Sequence, residues 1–160
     1  MTVFERRADL VGDMISVNKI IAHTIGKVKE DYFLQTHCTN PLITSETIDA
    51  AVQLYFDNKA QYDSLFSVTC RQSRFYNASF NPINHNPNEL LRTQDLPPIY
   101  EENSTMYIFS RESFFENNAQ RIGAKPYLFQ MNSIEATDID NEDDFLLAES
   151  IYMRRKADHG

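Results

Sequence analysis

The chain has 160 residues, 42% of them hydrophobic and 24% charged, which bounds it to one ordinary globular domain and hardly two. Its net charge of −8 lacks the basic footprint that a nucleic-acid partner needs, and no run of ~18 apolar residues encodes a membrane span. A nucleotide substrate stays compatible with that charge, because a bound divalent cation reverses the local sign. The opening residues, Met1 through Arg7, hold no apolar export segment and no cleavage site, so a cytoplasmic protein is expected. Cys38 and Cys70 alone make no disulfide framework, and reduced thiols are expected.

In chain order, Ser16-Val17-Asn18 opens a helical pattern. Val17, Ile20, Ile21, Thr24, Ile25 and Val28 recur at helical spacing, and Lys27 and Lys29 suit its C-terminal end. Tyr32 to Thr36 reads as a short strand that runs into a polar turn ending at Pro41. A second helix follows, capped by Thr44 or Ser45, with Ile48, Ala51, Val52, Tyr55 and Phe56 as its buried stripe. Ser64 to Thr69 reads as a second strand. This alternation is the rhythm of a parallel sheet with crossover helices.

From Arg71 to Pro98 the rhythm stops, and Asn, Pro, Ser and Arg dominate. So long a stretch without an element points to a functional or oligomeric excursion. Ser104 to Phe109 reads as strand, Arg111 to Asn117 as a short helix, and Tyr127 to Met131 as strand. The last helix is predicted from about Asn141 to Arg154, with Phe145, Ala148, Ile151 and Tyr152 on one face.

The sharpest local feature is Asp138-Ile139-Asp140, just before that helix. In an extended segment, residues two apart point to the same side, so two carboxylates stand together. They repel unless a cation lies between them, and Mg²⁺ held by one or two carboxylates plus phosphate oxygens is the usual answer. Plain capping of the helix by acidic residues is the competing reading, and it suits Asn141 to Asp144 well. A calcium loop over Asp138, Asp140, Glu142, Asp144 and Glu149 has the spacing but carries Asp143 where the loop needs Gly.

Two other stretches are candidates. Gln35 ends the first strand, and Thr36, His37, Thr39 and Asn40 follow it. Ligands of open parallel sheets bind beyond the strand ends, and these groups can hydrogen-bond a polyhydroxylated ligand. They also suit an ordinary polar turn. Arg92, before Gln94-Asp95-Leu96-Pro97, could clamp a carboxylate in a bidentate fork or serve as a surface residue. His23, His85 and His159 have no metal-ligand spacing.

Four blocks occur in a telling order: Arg6 through Asp13; Leu34-Gln35-Thr36-His37-Cys38-Thr39-Asn40-Pro41-Leu42-Ile43; Arg92-x-Gln94-Asp95-Leu96-Pro97 through Asn103 and Tyr107; and Asp138-Ile139-Asp140-Asn141-Glu142-Asp143-Asp144-Phe145. Together they resemble the acylneuraminate (CMP-sialic acid) cytidylyltransferase family. Arg7 stands where the family has Pro, Asn40 precedes the Pro of a lengthened second block, and Ser104 stands where Gly is frequent.

The resemblance implies an α/β, Rossmann-like nucleotidyltransferase with a mostly parallel sheet. The family's first strand and Gly-rich phosphate loop have no counterpart among the 4 glycines here. Residues 1–160 are therefore expected to be the C-terminal two-thirds of a single domain, with 71–109 as a dimerisation arm of a homodimer.

The implied activity transfers CMP from CTP to a sialic acid-like nonulosonic acid. Asp138 and Asp140 would be the catalytic, Mg²⁺-holding pair. Gln35 and Asn40 would bind the sugar, Arg92 and Tyr107 would line the neighbouring subunit's sugar site, and Arg6 and Ser16 would lie near the nucleotide. Two alternatives remain: a non-catalytic dimerisation remnant, and an Asp-x-Asp glycosyltransferase, against which the Leu34 to Ile43 block speaks. The choice among sialic, legionaminic and pseudaminic-type acids depends on pocket shape.

Overall fold

The computed structural model describes residues 2–158. Eight regular elements follow one another: α1 Val17–Ile25, β1 Tyr32–Thr36, α2 Ser45–Asn58, β2 Ser64–Arg71, β3 Ile99–Ser110, α3 Arg111–Glu116, β4 Pro126–Gln130 and α4 Glu142–Asp158. The α/β class is as expected, and the sheet is mixed rather than mostly parallel. Strand order is β1-β3-β2-β4, and β3 runs antiparallel to β1 in a register from Tyr32 opposite Ser110 to Thr36 opposite Met106. A short helical crossover returns the chain in the same direction, whereas the long stretch after β2 lets it re-enter from the other end. Periodicity marks a strand without giving its direction.

Position in the sheet shows in burial. Inner β2 is buried over most of its length and inner β3 over residues 105–109, while outer β1 alternates between exposed and half-buried residues. The chain divides into two compact units. The first comprises Met1–Thr36, Ile48–Phe66 and Met106–Leu128; the second comprises His37–Thr47, Ser67–Thr105 and Phe129–Gly160.

The first unit has an aromatic core. Tyr107, Phe109 and Phe114 are buried with Ile25, and Ile21, Phe33, Phe66 and Ile122 pack against them. The Phe109 and Phe114 rings stack with centroids 5.5 Å apart. α1 stops at Ile25, earlier than the expected Val28, and Arg111 takes carbonyls at and beyond its end. Its guanidinium donates to Ile25 O (3.1 Å), Val28 O (2.9 Å) and Glu30 O (2.7 Å). α3 begins with a reciprocal cap, Ser113 N donating to Ser110 Oγ and Ser110 N to Ser113 Oγ.

Gly123 lies before β4 because a Cβ there would come 2.2 Å from Asp63 Oδ1. That carboxylate accepts from Ala124 N and Lys125 N, fixing the turn into the strand.

The second unit buries no aromatic ring among its described residues; Leu42, Val68, Leu96 and Met131 are its main buried side chains. Asparagine amides do much of the ordering instead. Asn77 Oδ1 accepts from Ser79 N and Asn81 N, while Asn84 accepts from Phe75 N and donates to Ser73 O. Local hydrogen bonds of this kind explain how 72–98 holds a path with only one short 3-10 turn, Thr93–Asp95.

α4 is longer than expected. Of its predicted apolar face, Ala148 is buried and Ile151 half-buried, whereas Phe145 and Tyr152 are exposed.

Candidate functional site

The loop before α4 separates the acids that cap from those that do not. Asn141 Oδ1 accepts from Asp143 N and Asp144 N, and Asp144 Oδ2 accepts from Asp140 N and Asn141 N. Capping therefore consumes the side chains of Asn141 and Asp144 and leaves those of Asp138 and Asp140. The calcium-loop reading ends here, because Glu142 onward is helix and its side chains cannot encircle one ion.

Asp138 and Asp140 line one pocket of about 290 Å³ together with Thr69, Arg71, Glu101, Glu102, Asn103 and Ser104. Four carboxylates and a single cationic side chain are among its lining residues. Arg71 Nε already pairs with Glu101 Oε2 at 2.8 Å. Oδ1 of Asp138 is buried and accepts no hydrogen bond. A buried carboxylate oxygen without a donor is costly unless a cation meets it. The donor set fits a hard divalent ion. Among the described residues no three His, Cys, Asp or Glu side chains are grouped to hold a metal. Two carboxylates leave the remaining positions to water and phosphate oxygens, as Mg²⁺ requires.

The pocket's polar floor is built by Asn103, whose Oδ1 accepts from Ser67 Oγ (2.6 Å) and whose Nδ2 donates to Thr69 Oγ1 (3.1 Å). Ser104 follows with φ of +57°, a left-handed conformation that glycine adopts without strain. The resemblance flagged this position as one where Gly is frequent, and the backbone supplies the reason.

Asn40 is buried, and its Nδ2 donates to Thr137 O at 3.2 Å. Ile139 N donates to Thr39 O at 2.9 Å. The turn after β1 thus grips the backbone on both sides of Asp138. Asn40 was expected to meet sugar; its Nδ2 ties it to the acidic loop, and its Oδ1 is buried with no hydrogen-bond partner.

In the first unit, Gln35 and Tyr107 stand opposite each other across β1 and β3. Arg121 joins them: Nη1 donates to Gln35 Oε1 at 3.1 Å, and the guanidinium lies 3.6 Å over the Tyr107 ring. Tyr107 itself is fully buried in the aromatic core. Gln35 also borders an open groove of about 730 Å³ with Ile20, Ile21, Phe33 and Phe109.

Three expected site residues are not among those that line the acid pocket or hold Arg121. Arg92 is exposed and places its fork on both oxygens of Asp95, at 2.7 and 3.0 Å. Arg6 is exposed, and Ser16 precedes α1 without a side-chain cap bond. His159 lies outside the described residues. Sequence reasoning missed Arg121, Arg71 and the pocket role of Glu101 and Glu102. The Glu101-Glu102 pair was legible as a doublet, but Arg121 had no local signal at all.

The chain belongs to the cytidylyltransferase family, whose model matches residues 1–158. A Campylobacter coli protein described as "Post-translational flagellin modification protein B" is 25% identical over 163 residues, covering 95% of this chain and 68% of that one. Among the described residues no helix is long and apolar enough to cross a membrane.

Proposed function

We infer that the chain transfers a cytidylyl group from CTP to a sialic acid-like nonulosonic acid. The anomeric hydroxyl would attack the α-phosphorus, the bond to the bridging oxygen would break, and pyrophosphate would leave. Family membership supports the CTP half of this reading over the glycosyltransferase alternative. The observation that carries the rest is the pocket in which Asp138, with a donorless buried oxygen, and Asp140 stand together.

Asp138 and Asp140 would hold Mg²⁺. When bound, that ion would neutralise charge on the phosphate oxygens and orient them for in-line displacement. Asn40 and Thr39 would keep the Asp138 backbone fixed, so its carboxylate needs little reorganisation. Gln35 would hydrogen-bond the sugar. The relative concerned with flagellin modification fits a product destined for transfer to a protein.

A homodimer belongs to this proposal. Phe80, Ile83, Leu90 and Leu91 of the excursion are exposed, and a second copy would cover them. One experiment tests the whole: protein of known sedimentation mass is given CTP, Mg²⁺ and each of three nonulosonic acids, and pyrophosphate is measured. Mg²⁺-dependent release by a dimer is expected. No release with any acid would remove the transferase reading, and a monomer that turns over would remove the dimer.

A further inference from the structure

Among the arginines that pair, each meets an acid at the surface or spends its donors on carbonyls. Arg7 pairs with Asp9, Arg71 with Glu101 and Arg92 with Asp95, while Arg111 sits among backbone oxygens. Arg6 and Arg154 are exposed, and water can solvate them. Arg74 and Arg155 are half-buried as well and donate to the carbonyls of Leu91 and Leu42. Arg121 differs in that its guanidinium meets a side-chain amide and the face of an aromatic ring. It is half-buried, and no carboxylate among the described residues forms an ion pair with it. Its charge is therefore partly withdrawn from water without a carboxylate beside it.

The geometry around it is built from three elements. The Tyr107 ring on β3 supports the guanidinium from below at 3.6 Å. Gln35 on β1 accepts one N–H at 3.1 Å. Asn18 on α1 accepts from the Arg121 backbone N at 3.3 Å, which holds the residue where it is. A guanidinium flat on a ring keeps its N–H bonds in its own plane, directed sideways. Gln35 takes one of them. The others suit a planar oxyanion approaching edge-on, which is the bidentate match of arginine to a carboxylate. The ring quadrupole offsets part of the cost of burying the charge, and it does not replace a counter-ion.

We propose that Arg121 binds the carboxylate of the sugar acid, beside Gln35, and that Arg92 does not carry this role. This rests on the cytidylyltransferase reading for the identity of the ligand. Arg92 has its fork on both oxygens of Asp95, so binding a substrate carboxylate would first break an existing pair. Arg121 breaks none.

The test compares sialic, legionaminic and pseudaminic-type acids with their methyl esters, read by saturation-transfer NMR without CTP. The wild type should prefer an acid over its ester by ~10–100-fold, the range for a charge-assisted hydrogen-bond pair. Arg121→Ala should erase that preference, and Arg121→Lys should restore part of it. A purely structural role would weaken acid and ester alike. Mg²⁺-CTP binding to the same variants serves as control for the phosphate as the anion. Should Arg121→Ala not fold by thermal melting, Arg121→Gln, which keeps the stem and a donor, takes its place.

Preference that survives in Arg121→Ala, or that disappears in Arg92→Ala instead, would overturn the proposal. So would loss of CTP binding with acid binding intact. If the wild type prefers acids yet releases no pyrophosphate, the transferase reading falls and the Arg121 assignment stands. If it binds none of the acids, both fall.

Discussion

The two units of this chain are ordered by different forces. The first is organised by aromatic burial, with Phe109, Phe114 and Tyr107 closed off from water. The second buries aliphatic side chains and is organised by amides, with Asn40, Asn84, Asn103 and Asn141 each holding backbone or hydroxyl partners. Apolar burial is non-directional, so it tolerates exchange of one hydrophobe for another. Amide networks are directional, so they set loop positions closely and lose much when one group goes. The acid pocket lies wholly among residues of the second unit, where loops need to be placed and a bulky core is absent. Arg121 lies in the first, where a buried ring can carry a guanidinium.

The sharpest break of that contrast is Asp140→Asn. The side chain is exposed and makes no hydrogen bond or ion pair among the described residues, so thermal stability should move little. Turnover in the pyrophosphate assay should fall by roughly 10²-fold or more, the size of one electrostatic catalytic group. Unchanged Mg²⁺-dependent turnover would take Asp140 out of the site.

Next comes Phe114→Ala, which should do the reverse. It removes a fully buried ring stacked on Phe109 and should cost about 3–5 kcal/mol in urea unfolding. A loss under about 1 kcal/mol would mean that the aromatic cluster does not hold the first unit together.

The smallest effect belongs to Ser104→Gly. The φ of +57° penalises a side chain, so glycine should stabilise by about 0.5–1 kcal/mol despite its larger unfolded-state entropy. Destabilisation would show that the serine's own interactions outweigh the backbone strain.

How much of this was legible in advance differs by kind of residue. β1 was read at Tyr32–Thr36 and is found there, because a short β-branched and aromatic run next to a polar turn has one reading. α2 begins after Thr44, whose Oγ1 accepts from Thr47 N, as its capping residue type predicts. The Asp138-Asp140 pair was legible as two acids two positions apart, a local fact, and both line one pocket. The direction of β3 was not legible, since a strand's pattern is the same read either way.

Whether the shared face of α4 is covered was not legible for a similar reason. Spacing tells that Phe145 and Tyr152 share a side of the helix, but not whether anything covers it.

The amino-acid sequence by itself determined the α/β class, the residues of most elements, the acidic doublet and the family. Those depend on neighbours within one turn or one strand, where chemistry and spacing suffice. Only the tertiary structure decided that Gln35 faces Tyr107, that Arg121 stacks on that ring with no ion-paired acid among the described residues, and that Asn40 grips the backbone beside Asp138. Gln35 and Tyr107, and Asn40 and Thr137, are each 70 or more positions apart, and Arg121 meets Tyr107 from a different element; sheet register and loop path set these meetings, and no local pattern encodes them.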